Sequence, residues 1–171
     1  QRILPDGSEE ADVPAVRYLD KVGEDIDPSM ALGNAAREVL RMGDTLDEML
    51  KGTMSCLREG DAAKVSDISA RDDIVDELYE AVKLYLTDIR KVELEEEESR
   101  RCGDIMAFCT NLEHVGDIID KNLLQLTSQK IKKQLRFSDE GLQEIESLHA
   151  RVNSNLHLAM NVFMSGDAAL A

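Results

Sequence analysis

No proline occurs after Pro28. Across the rest of the chain, apolar residues instead recur at the spacing of one helical face. An uninterrupted pattern of this kind leaves little room for strands, and it points to an all-α fold. The breakers gather at the other end. Residues 1–28 hold all three prolines, two glycines and eight acids against three bases, the composition of an entry segment or linker lying off the core. Residues 29–171 are expected to form the helical bundle.

Four long helices follow. The first is expected to start at Ser29 as N-cap behind Pro28 and to end near Arg58 before Gly60. Its apolar stripe is Leu32, Ala36, Val39, Met42, Leu46, Met49, Thr53 and Cys56. Asp61 suits the N-cap of a second helix running to about Lys91, with Val65, Ile68, Asp72, Val75, Tyr79, Val82, Leu86 and Ile89 on one face. Asp72 is the one charge in that series. Residues 92–94 read as a turn. Glu95 to Glu98 then open a third helix, where carboxylates favour the positive end of the dipole. That helix is expected to run unbroken to Lys133, roughly 60 Å, with a stripe of Cys102, Ile105, Cys109, Leu112, Gly116, Ile119, Leu123 and Leu126. Ser138 caps a fourth helix whose inner face is Leu142, Ile145, His149, Val152, Leu156, Ala159 and Phe163, stopped by Gly166. Asp167 would cap a fifth, of which only the start is present, so the domain is expected to continue past Ala171. Short links between long helices imply an elongated, antiparallel up-and-down bundle.

With 20 bases and 35 acids the net charge is −15. A surface so acidic repels phosphate backbones and anionic headgroups, which argues against nucleic acid and lipid surfaces as partners. The longest apolar run, Ile105 to Cys109, is five residues, against roughly 20 for a membrane span. Direct insertion by this stretch is therefore not expected, and the opening residues do not read as a signal peptide. Cys56, Cys102 and Cys109 each fall in a helical pattern without close metal-ligand spacing, as reduced core thiols of a cytoplasmic protein do.

The residues that suggest chemistry are paired carboxylates. Asp72 and Asp76 on the second helix, and Glu113 and Asp117 on the third, have the i,i+4 spacing that puts both on one face, about 6 Å apart. Facing residues of an antiparallel hairpin share one index sum. Asp72 with Asp117, and Asp76 with Glu113, share the sum that centres the turn between Leu94 and Glu95, where the turn is already expected. The four carboxylates then lie at one height, with Asp120 a turn further on, and Asp44, Asp47 and Glu48 of the first helix are expected near it. Oxygen donors in this arrangement suit a divalent or iron-group ion: iron, manganese, zinc or magnesium. The competing reading is a solvated charged face.

A di-iron carboxylate enzyme needs two Glu-x-x-His spacings, and only Glu146 to His149 provides one. His149 sits in the apolar stripe, where a hydrogen-bonded core histidine is the commoner outcome. His114 and His157 lack a partner pattern. Gly116 suits a close helix contact, and the seven methionines read as core filler. The chain has no glycine-rich phosphate loop, nucleophile elbow or Cys–His pairing, so no catalytic role is expected.

Leu112-Glu113-His114-Val115-Gly116-Asp117 resembles the signature of the PhoU family, a Leu-Glu-Arg-Ile-Gly-Asp type of segment, and Asp72-Asp73-Ile74-Val75-Asp76 resembles its partner motif. Residues 28–42 and 95–123 are similar to the PhoU-like C-terminal domain of bacterial sodium-dependent phosphate transporters. The resemblance covers about residues 18–166. It implies three-helix repeats, metal clusters on acidic motifs in some members, and a cytoplasmic regulatory or accessory role beside the transmembrane portion of the same transporter. Carried over by motif position, the metal residues are Asp72, Asp76, Glu113 and Asp117. His114 stands where the family has arginine, and no second repeat is present. A lone repeat leaves apolar surface that a homodimer would cover. The alternatives are a metal-dependent bundle of the di-iron type and a purely structural dimerisation bundle.

Overall fold

The computed structural model describes residues 16–19 and 27–166. Asp167, with its expected fifth helix, and most of the entry segment lie outside them. All regular structure among the described residues is helical, in the order α1 (Pro28–Glu59), α2 (Ala62–Ile89), α3 (Glu96–Ile118), a π-helical turn (Ile119–Leu124), α4 (Gln125–Lys132) and α5 (Asp139–Ser165). Among the described residues, no helix is long and apolar enough to cross a membrane.

Local chemistry sets most of the boundaries. Asp27, and not the expected Ser29, caps α1: its carboxylate accepts from the amides of Ser29 at 2.9 Å and Met30 at 3.3 Å. Pro28 fits the first turn because its missing N–H would have no partner there. Gly60 ends α1 in the left-handed region at φ 75°. Asp61 caps α2 through the Ala63 amide at 3.0 Å. Glu95 and Glu98 form a reciprocal capping box at the start of α3, and Ser138 caps α5. The expected end of α2 at Lys91 comes two residues early, where the chain turns towards α3.

Helix α1 is the axis of the bundle: α2, α3 and α5 all pack on it. Its expected stripe is buried throughout, and Ala31, Ala35, Glu38, Leu50 and Met54 are buried as well, since neighbours cover more than one side. In α2 every expected stripe residue is at least half-buried, joined by Leu78 and Tyr85. Residues 1–28 do not all stay off the core, because Val16 and Leu19 pack against it. Helix α5 is held mainly by α1, so its expected inner face is only partly covered. Phe163 is buried against Phe108 with ring centroids 4.4 Å apart, but Val152 is 44% exposed. Two expected core-filling methionines, Met30 and Met164, are exposed.

The expected unbroken third helix is interrupted. The π turn closes i→i+5 bonds and so takes in one extra residue. Beyond it the inward face moves on by one position. Leu124 and Thr127 are buried, while the expected Leu123 and Leu126 are 39% and 62% exposed. The basic end of α4 also serves α1, because Lys130 Nζ donates to the Leu57 carbonyl at 2.8 Å.

Candidate functional site

The motif residues meet where α2 crosses α3 beside the π turn. Gly116 makes the approach close: a Cβ there would sit 2.8 Å from Asp72 Oδ1 and 3.4 Å from side-chain carbons of Leu46 and Val75. Only a residue without a side chain lets Asp72 lie flat against α3. The hairpin register expected from the sequence holds one turn further along, where Ser69 Oγ donates to Asp120 Oδ1 at 2.5 Å.

Asp72 is 8% exposed. Burial, followed by the negative charges of Asp76, Asp120 and Asp117, pushes its carboxyl up to about 6, and the ammonium of Lys121 partly offsets them. Asp76 is exposed, and Asp117 and Asp120 are half-buried. Lys121 Nζ pairs with Asp117 Oδ1. That pairing, together with the fields of Asp117, Asp72 and Asp76, holds the lysine's pKa above its ordinary value.

Three of the five predicted carboxylates, Asp76, Asp117 and Asp120, thus act on the fourth, Asp72. Glu113 is placed differently. It lies 3.6 Å from His114 Nε2 and adds to the rise at Cys109, whose thiol is pushed up to about 12, chiefly by burial. The first-helix acids also look elsewhere. Asp47 pairs with Lys51 at 2.6 Å and His157 at 3.0 Å, and Glu48 pairs with Arg71. His157, which has no partner pattern in the sequence, ties α5 to α1 through Asp47. His149 is half-buried, with Nε2 3.0 Å from the Leu50 carbonyl. The three cysteines are buried free thiols.

A metal ion would find suitable donors here and an unsuitable arrangement. Among the described residues, no three His, Cys, Asp or Glu side chains gather closely enough to hold one. Asp117 is engaged by Lys121, Asp120 by Ser69, and Glu113 stands next to His114.

The sequence reading missed Ser69, Lys121 and Glu38. The first two were legible: Ser69 has the index sum of the hairpin with Asp120, and Lys121 is four residues beyond Asp117. Glu38 had no local signal. It is fully buried, with Oε1 accepting from the amides of Arg17 and Tyr18 and Oε2 paired with Arg41 at 2.6 Å.

Residues 39–123 match the family model described as PhoU domain. The matched stretch runs from α1 through α2 and α3 into the π turn, and it includes all five predicted site residues. Over 144 residues the chain is 41% identical to the protein named "Putative inorganic phosphate export protein YjbB" from Salmonella typhimurium. It is 39% identical to the proteins of that name from Escherichia coli strain K12 and Shigella flexneri. Each alignment takes in 84% of this chain and 26% of the relative, so the chain spans about a quarter of the length of the curated relatives it matches. No solved structure matches it significantly.

Proposed function

We propose that this PhoU-like domain is a regulatory or accessory part of a phosphate transport protein, working through contacts with the membrane-spanning portion and not through catalysis. The observation that carries the reading is the coincidence of two things. The PhoU match covers the hairpin that seats Asp72 against Gly116, and the relatives sharing that hairpin are named for inorganic phosphate export and are about three times as long. A rigid helical domain of strong negative charge can bind and release positively charged loops without any reaction of its own. On this reading the domain sits on the cytoplasmic side, and homodimerisation would cover the open side of α5. Coupling to sodium belongs to the same proposal.

The test is flux of radiolabelled phosphate in cells expressing the full-length transporter, with and without this domain. The expected outcome is that transport persists while its response to internal phosphate is altered. Replacing sodium with choline in the same assay examines the sodium dependence. If removal of the domain changes neither the rate nor the response, the regulatory reading fails.

A further inference from the structure

The acidic face of the α2–α3 hairpin has a cation, and the chain supplies it. Asp72 is more than nine-tenths buried. Around it stand Asp76, Asp117 and Asp120, all raising the cost of its charge. Such a group needs positive charge, protonation or exposure to water. Lys121 is the basic residue that answers it. Its ammonium pairs with Asp117, one turn earlier on the same helix, and acts across the hairpin on Asp72 and Asp76. The order, acid before base at i,i+4, is the favourable one. Asp120 also accepts the Ser69 hydroxyl at 2.5 Å.

We infer that Lys121 is the resident cation of this acidic face and stands where a divalent ion would otherwise be needed. A metal drawn to Asp72 and Asp76 would compete with the lysine for Asp117, and the ammonium beside that carboxylate would repel it and weaken its binding. The inference does not depend on the transport reading, because it concerns the charge balance of the folded domain alone.

The test uses the full chain, purified with chelator and dialysed free of it, as wild type, Lys121→Met and Lys121→Arg. Urea unfolding and thermal melting are followed with and without manganese, zinc or magnesium at millimolar concentration. Wild type should be indifferent to the metals. Lys121→Met should lose about fivefold in its folding equilibrium constant and recover it with metal, since an ion that binds only the folded state raises its stability with concentration. Lys121→Arg, which keeps the charge, should behave as wild type. Adding Asp76→Asn to Lys121→Met should restore stability without metal. Three results would overturn the inference: metal stabilising wild type as strongly as Lys121→Met, Lys121→Met matching wild type in every condition, or a loss in Lys121→Met that no metal relieves.

Discussion

Asp72→Asn should make this protein more stable at neutral pH. The substitution keeps the size of a side chain pressed against Gly116 and removes its charge. In the folded chain the carboxyl titrates at about 6, against an ordinary value of 3.8. Above about 6 it is ionised in both states, and the folded state carries the full cost of a buried, repelled charge. Between about 6 and 3.8 the folded state holds a proton that the unfolded chain has released, so the wild-type penalty fades as the pH falls through this window. The spread from 3.8 to about 6, at about 1.4 kcal/mol per tenfold in proton affinity, sets a ceiling of about 3 kcal/mol. Because Asp76 is exposed and screened, the expected gain is about 1–3 kcal/mol. Urea denaturation of both proteins, followed by circular dichroism across this range in the presence of chelator, reads the difference directly. The variant should lead at neutral pH and the gap should close below about 6. An Asn variant less stable than wild type at neutral pH, or a gap unchanged by acid, would refute the reasoning.

Two further substitutions probe the rest of the framework. Glu38→Ala removes the carboxylate that accepts from the Arg17 and Tyr18 amides, and it should cost about 1–3 kcal/mol. Hydrogen exchange at the two amides should rise well above that of the core, and unchanged protection there would mean that the carboxylate does not hold this segment. Leu124→Ala should destabilise by about 2–4 kcal/mol and Leu123→Ala by less than about 0.5 kcal/mol, because only the first is buried. Equal costs in thermal melts would place the inward face on the regular α spacing and remove the π turn.

The acidic site was legible to the extent that helical geometry is local. Spacing alone placed Asp72 with Asp76 and Glu113 with Asp117, and the hairpin sum brought Asp72 to the height of Asp117. What spacing could not convey was which way each carboxylate turns. Glu113 shares a face with Asp117 on paper, yet it stands beside His114 and Cys109, because the choice depends on neighbours from other helices. Asp47 and Glu48 reach a similar height on α1 but find Lys51, His157 and Arg71 closer.

The sequence by itself determined the order of the helices and most of their ends. Pro28, Gly60, Asp61, Glu95, Ser138 and Gly166 act through their own backbone and nearest amides, and the α1 stripe is buried and the α2 stripe at least half-buried as their periodicity required. Only the tertiary structure decided three things. It inserted the π turn, because burying Ile119 and Leu124 together demands one residue more than an α turn provides. It buried Glu38 under a segment some twenty positions earlier, a contact with no periodic trace. It left part of the α5 stripe open, since an amphipathic pattern records which face is apolar and not how much of it a neighbour covers.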